Sequence, residues 1–400
     1  MNKNKYLKYL MMIFLTLILV AIIVYLQLTN TEDLTLNSNL TFDFREKVYV
    51  EDLISNLKGK LINNTLIDTK KVGTKRVRIL YYNHYGVIES KNVEIDIRDN
   101  VPPTIVINNI YEVEQGTVTN LLDNIFCADN YDDNVICKIE GKYDLNKIGK
   151  YHLKISAKDK SNNVTKKSFT LHVTEKEDKS KNKSTHPTTN TNFSDIRKKY
   201  QNNNHLIGID ISKWQGSVDF KKIKSQGVEF VMIKIGGQDK KGGSITLDPN
   251  FSTNIEQALK NKLNVGIYFY SKASTTKEAR KQAEWVIKQL QNYQIQLPIA
   301  FDWENWSNYS TYHVSFNTLN NIAASFFEPL EKANYSTMLY SSKYYLENIW
   351  YQDEYNIWIA HYTSNDKEKN KYSMWQLCDD GKIDGIDANV DIDIYYKYSK

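Results

Sequence analysis
The chain has 400 residues, 41% apolar and 25% charged, and carries a formal net charge of +5. That length admits two to four domains, and the apolar share is that of folded protein rather than a disordered polymer. So mild a charge makes no case for a nucleic-acid partner and is compatible with work beside an anionic polymer.

The first 30 residues break the average. Residues 1–8 hold three lysines, and residues 9–28, "YLMMIFLTLILVAIIVYLQL", contain no charge. At about 1.5 Å per residue such a helix spans roughly 30 Å, the apolar thickness of a bilayer. Lysines precede it and Glu32-Asp33 follow, which predicts a cytoplasmic tail at 1–8 and everything beyond Thr29 on the far side. A cleaved signal peptide is the alternative. Its apolar stretch is usually about 7–15 residues and ends in small residues; this run is longer and no A-x-A pattern follows. The expectation is a single-pass anchor of the cell membrane.

A repeat comes next. "DTKKVGTKRVRILYYN" (68–83) parallels "DLNKIGKYHLKISAKD" (144–159), and each is followed by a turn and a second alternating strand, "KNVEIDI" or "KSFTLHV". Short period-2 strands separated by turns predict two β-sandwiches, at 32–100 and 101–174, with the boundary at "RDNVPP". The segments "DNVPPTIVI", "ADNYDDNV" and "NKIGKYHLKISAKDKSNNVT" resemble the bacterial immunoglobulin-like domains found in tandem on surface proteins. That resemblance implies spacer or wall-adhesion modules. The acidic turn Asp129, Asp132, Asp133 lacks calcium-loop spacing and is expected to be solvated. Cys127 and Cys137 flank "ADNYDDNVI"; a disulfide across a hairpin and two free thiols both stand open. Cys378 reads as a small core residue. Residues 175–204 are poor in large apolar side chains and are expected to form a flexible linker.

From 205 to 400, apolar strands such as "HLIGIDIS", "EFVMIKIGG", "NVGIYFYSK" and "LPIAFDWEN" alternate with amphipathic segments such as "NFSTNIEQALKNKL" and "TTKEARKQAEWVIKQLQNY". Thr275 or Thr276 caps the latter. This alternation predicts a parallel sheet with right-handed crossovers, closed into an irregular α/β, TIM-like barrel. The domain is short for eight full units, so helices should be missing among the late strands "STMLYSS", "YNIWIAHY" and "YSMWQL".

A barrel puts chemistry at the C-terminal ends of its strands. Asp210 ends one strand; Asp302 and Glu304 end "PIAFDWE"; Asp391 and Asp393 lie on "NVDIDIYY". Residues i and i+2 of a strand share a side, so Asp302 and Glu304 repel each other unless chemistry uses them. One acid alone caps a helix; a pair exceeds that need. Two carboxyls in unequal surroundings split into an acid and an anion, the pair that hydrolyses a glycoside. Trp214, Trp303, Trp306, Tyr268, Tyr270, Tyr340, Trp358, Tyr362 and Trp375 fall near predicted strand ends and offer faces for sugar rings. The chain has no H-E-x-x-H, G-x-S-x-G or C-x-x-C. No histidine has convincing ligand spacing, His361 alone standing near the site, so neither metal nor cofactor is expected.

Several ordered motifs, "GIDISKWQGSVDF", "YFYSKASTTKEARKQAE", "PIAFDWEN", "YNIWIAHYT" and "YSMWQLCDDGKIDGIDANVDIDIYY", resemble glycoside hydrolase family 25, the lysozymes that act as N-acetylmuramidases. The likeness runs over 206–396. It implies an irregular barrel and retaining cleavage of the β-1,4 bond from N-acetylmuramic acid to N-acetylglucosamine in peptidoglycan. It also implies Glu304 as general acid and Asp302 as the assisting carboxylate, acting on the charged sugar or through a substrate acetamido group. Asp210 and Asp391 match the remaining acids, and Tyr268, Trp303 and Trp375 match aromatic wall positions; Trp214, Tyr340 and Tyr362 join them as substrate contacts. Many relatives carry an arginine and a G-Y-G-like stretch where this chain has "IKIGGQDKKGGS", with Lys234 in the basic place. The expected partners are peptidoglycan strands and the membrane, with an envelope-spanning secretion or conjugation machine as a further possibility. The alternatives are an inactive wall-binding protein, which need not keep all four acids, and a chitinase-like glycosidase, which usually carries a longer acidic run before its D-x-E.

Overall fold
The computed structural model describes residues 3–29, 32–118, 120–176, 191–363 and 371–397. The chain divides into two compact units, Met1–Asn100 and Val101–Lys400.

The first unit begins with one helix, Lys3–Thr29. Its apolar window Tyr6–Ile23 has mean hydropathy 2.4 and is nowhere covered by protein. The rest of the unit is a small β-module. Thr41–Asp43, Ile88–Arg98, Gly73–Tyr82 and Lys60–Leu61 form a four-stranded sheet, and two strand pairs pack against it. Leu34, Leu53, Ile79 and Ile95 are buried between these layers. In Gly73–Tyr82 the buried side chains alternate, as a period-2 pattern demands.

The second unit opens with a module of the same plan. Ile110–Glu114, Val164–Thr174, Gly149–Lys158 and Ile136–Glu140 form its four-stranded sheet, and Phe126–Ala128 pairs with Thr104–Val106. Its long hairpin, Gly149–Lys158 with Val164–Thr174, lies 76 positions after Gly73–Tyr82 with Ile88–Arg98, strand for strand. The sequence repeat is thus a structural repeat. Cys127 and Cys137 are disulfide-bonded. They join the two-stranded pair to the four-stranded sheet, so the bond ties layers together and does not cross a hairpin.

The rest of the unit is an eight-stranded barrel. His205–Ile211, Phe230–Gln238, Asn264–Tyr270, Ile299–Asp302, Thr337–Ser342, Ile357–Ala360 and Met374–Lys382 follow one another in parallel. Val390–Tyr396 closes the ring antiparallel to both the first and the seventh strand. That reversed strand departs from the all-parallel sheet predicted and distorts the barrel. Helices Phe251–Lys260, Thr276–Leu290 and Phe316–Lys332 cover it outside. Thr275 is the cap of the second, its side chain accepting from Glu278 N. A six-residue helix, Lys343–Asn348, does follow the fifth strand, so the expected loss of helices among the late strands holds only after the sixth and seventh, where none occurs among the described residues.

Strand parity divides the barrel into two cores. Phe230, Met232, Ala300, Met338, Trp358 and Met374 fill the interior. Ile209, Ile233, Ile267, Phe301, Leu339 and Ile392 point outward to the helices.

Two sequence expectations need correction. Part of the linker, 177–190, lies outside the described residues. Its end, however, belongs to the barrel: Thr191–Asn192 pairs with the seventh strand. Helix Phe193–Tyr200 buries Phe193 in the outer core, and Tyr200 meets Trp375 edge-on at 5.7 Å. One phenylalanine and one tyrosine in a polar stretch carried too little apolar weight to register. Nor is the acidic turn solvated. Asp129 and Asp132 are buried; Asp129 Oδ2 accepts from the Tyr131 and Asp132 amides, and Asp132 pairs with Lys160 at 2.9 Å.

Candidate active site
The floor of the site comes from the closing strands. Antiparallel pairing sets Asp210 opposite Asp391 and Gly208 opposite Asp393. A Cβ on Gly208 would lie 2.4 Å from the Phe230 carbonyl oxygen, so only glycine allows this close approach. Gln376, on the seventh strand, sits opposite Asp393. Its Nε2 donates to Asp210 Oδ2 at 2.7 Å. Its Oε1 accepts from Tyr340 at 2.8 Å and from Tyr362 at 3.1 Å. Trp358 Nε1 donates to Asp393 Oδ1 at 2.8 Å.

The fourth strand supplies the pair. Asp302 sits level with Tyr270 and Tyr340 on the adjacent strands. It is 4% exposed, and its Oδ1 is buried with no hydrogen-bond partner. Such a group is costly unless something else uses it. Glu304 reaches past the strand end into the mouth, open to solvent yet walled by protein. Lys234 Nζ lies 4.5 Å from the Tyr270 ring centre.

All five carboxyls are held toward their neutral form. Burial raises Asp210 well above the carboxylate range and the Asp393 charge adds to it, against the Gln376 amide. Burial and the Glu304 charge raise Asp302; burial raises Glu304; Lys234 opposes both. Burial, then Asp210, pushes Asp391 up to about 9. Burial, then Asp391, raises Asp393. Desolvation and mutual repulsion thus keep protons in the cluster at neutral pH.

Asp210, Asp302, Glu304 and Asp391 line one cleft of about 540 Å³, together with Trp214, Tyr268 and Tyr340. Trp214 is 73% exposed at the rim, with Lys213 Nζ 4.8 Å from its ring centre. Tyr362 is 54% exposed and reaches the site through Gln376. Trp303 and Trp375 do not belong to the wall. Both are fully buried in the outer core, their indoles donating to the carbonyls of Ala273 and His361. Parity is the reason: residues flanked by inward Asp302 and Glu304, or by inward Met374 and Gln376, must point outward. Asp393 and Gln376 were missed as site residues. The i+2 spacing of Asp391 and Asp393 was the available signal for the first. Gln376 had only its parity with Met374. Cys378 is buried, and burial pushes its thiol up to about 12, which leaves no nucleophile.

Residues 209–386 match the sequence model of glycosyl hydrolases family 25. The C-terminal region is therefore a family 25 glycoside hydrolase domain, and the chain is an enzyme. Uncharacterized protein YegX of Escherichia coli K12 is 26% identical over 195 residues, 48% of this chain and 69% of the relative. The autolytic lysozyme of Clostridium acetobutylicum is 27% identical over 191 residues, 47% of this chain and 55% of the relative. Among solved structures, the spore cortex lytic enzyme SleM of Clostridium perfringens is similar over 50% of this chain and 69% of its own. Its identity is 21% and its TM-score 0.43. The match to family 25 takes in Asp210, Asp302 and Glu304 and stops at Ile386, short of Asp391.

Proposed function
We propose that this chain is a membrane-tethered peptidoglycan hydrolase that cleaves the β-1,4 bond from N-acetylmuramic acid to N-acetylglucosamine with retention. The observation that carries this is the acid pair: a family 25 domain whose cleft holds Glu304 at the mouth and, beside it, a buried Asp302 whose Oδ1 has no hydrogen-bond partner. Glu304, held toward its protonated form by burial against the pull of Lys234, donates to the glycosidic oxygen as the bond lengthens. Burial and the Glu304 charge hold Asp302 toward its neutral form and Lys234 opposes them, so on this reading Asp302 gives up its proton only as the sugar becomes cationic, and then supplies negative charge against the ring or through its acetamido group. Lys234 favours the ionised form of both acids, which eases the loss of the proton from Glu304. The similarity to an enzyme named an autolytic lysozyme supports a cell-wall substrate.

The exposed apolar helix Lys3–Thr29 supports an anchor with the lysine-bearing end in the cytoplasm and the barrel outside. The two repeated β-modules are read as immunoglobulin-like, on the strength of their matching hairpins and paired sheets. Peptidoglycan is then within reach of a tethered enzyme.

The test is chemical. Purified full chain is incubated with peptidoglycan and the new reducing end identified. Muramic acid at that end supports the proposal; glucosamine, or no release, rejects it. Glu304→Gln keeps the shape and removes the proton, so kcat should fall about 10²–10⁴-fold with KM little changed. Turnover within about tenfold of wild type would refute Glu304 as the acid.

A further inference from the structure
The module at 101–174 touches the barrel directly. Its acidic turn caps a barrel helix. Helix Phe316–Lys332 leaves its first amides without intrahelical partners. Ser315 Oγ accepts from Thr318 N within the helix itself. The module supplies the rest: the Asp129 carbonyl accepts from Phe316 N at 2.8 Å and the Asn130 carbonyl from Asn317 N at 2.9 Å. Asp133 Oδ1 accepts from Ser315 N at 2.7 Å.

A second contact runs toward the acids. Phe126 of the module lies 4.8 Å from the Tyr309 ring and 6.2 Å from Phe316. Tyr309 lies 5.7 Å from Trp303, the residue between Asp302 and Glu304. The 3-10 helix Trp306–Tyr312, which begins two residues after Glu304, is thus held on one side by Trp303 and on the other by the module. Ala128 is buried in the barrel's own outer core. The disulfide pins Cys127, between Phe126 and Ala128, to the four-stranded sheet, so the docking edge is rigid.

We propose that this module positions the catalytic acid: Phe126 and the 129–133 turn hold Tyr309 and the start of helix Phe316–Lys332, and through Trp303 they fix the strand end that carries Glu304. Phe126 and Asp133 are positioning residues, since neither lines the cleft. The proposal rests on the reading of Glu304 as the acid. An acid misplaced by about 1 Å loses rate on the order of 10²-fold, whereas glycan contacts at Trp214 stay intact. The loss should therefore fall on kcat.

The full chain in detergent is assayed as wild type, Phe126→Ala, Tyr309→Ala and the double variant, together with Asp133→Ala and Asp133→Asn. Amide hydrogen exchange over residues 304–317 is measured alongside. The expected result is a kcat about tenfold lower for Phe126→Ala with KM within about twofold. The double variant should lose no more than Tyr309→Ala alone, because the two share one path. Asp133→Ala should lose activity and Asp133→Asn, which keeps the acceptor oxygen, should regain it. Exchange at 304–317 should quicken in each impaired variant. Should Phe126→Ala unfold the barrel, Asp133→Ala, which removes one hydrogen bond and no core volume, decides the matter. Faster exchange with kcat within twofold of wild type overturns the proposal, as do losses that simply multiply in the double variant. An inactive wild type sinks this proposal and the proposed function together; an active wild type with unaffected variants sinks this one alone.

Discussion
The acid cluster should make the barrel lose stability as pH rises, and Asp391→Asn should weaken that loss. Asp391 is pushed up to about 9 by burial and by Asp210, against about 3.9 in an unfolded chain. The folded state then binds a proton that the unfolded state has released. Stability from such a group is complete below about pH 3.9 and falls as pH rises toward the folded value. One retained proton changes the unfolding free energy by about 1.4 kcal/mol per pH unit. The neighbouring acids share the repulsion, so removing one lets the others ionise more easily, and a difference in slope of about 1 kcal/mol per pH unit is the reasonable size. All seven tryptophans lie from Trp214 to Trp375, so fluorescence follows the barrel alone in the full chain. Urea unfolding at intervals from pH 4.5 to 7.5 gives both slopes. The reasoning fails if wild type gains stability over that range relative to Asp391→Asn, or if the two slopes coincide.

The two tryptophan environments predict opposite phenotypes. Trp303→Ala empties a fully buried site and should cost about 3–5 kcal/mol of barrel stability, read by thermal unfolding, a cost that a wall residue would not show. Trp214→Ala removes an exposed rim ring; it should leave stability within about 0.5 kcal/mol and raise KM for glycan several-fold, and an unchanged KM would remove Trp214 from the substrate path. Gln376→Leu strips Asp210 of its amide donor and two tyrosines of their acceptor. It should destabilise by about 1–3 kcal/mol and lower kcat; a variant as stable and active as wild type would mean that this hub positions nothing.

Much of the catalytic half was legible because a strand has one simple rule. Alternation put Asp302 and Glu304 on one side, and burial of Ile299 and Phe301 on the other follows from the same step. Carried one residue further, that rule excludes Trp303 as a sugar platform. Trp303 matches an aromatic wall position by resemblance, but its parity turns it into the outer core. Trp375 fell the same way, beside inward Met374 and Gln376. Asp393 sat in plain view on "NVDIDIYY", two places from Asp391, and shares its face.

What could not be read has a different cause. A helix cap made by a distant carbonyl leaves no local mark, because every residue has a carbonyl. The 129–133 turn looks like a solvated acidic loop, and its composition is that of one. Only its partner, the uncapped start of helix Phe316–Lys332 some 180 positions later, changes its meaning. The same holds for Phe126, one aromatic among many until Tyr309 meets it. Domain boundaries drawn from composition mark where the chain becomes polar, and they miss contacts that only folding makes. If the module does position Glu304, the smallest active piece of this enzyme begins near Val101, and a barrel cut at residue 200 lacks both its helix cap and the strand Thr191–Asn192 that joins its sheet.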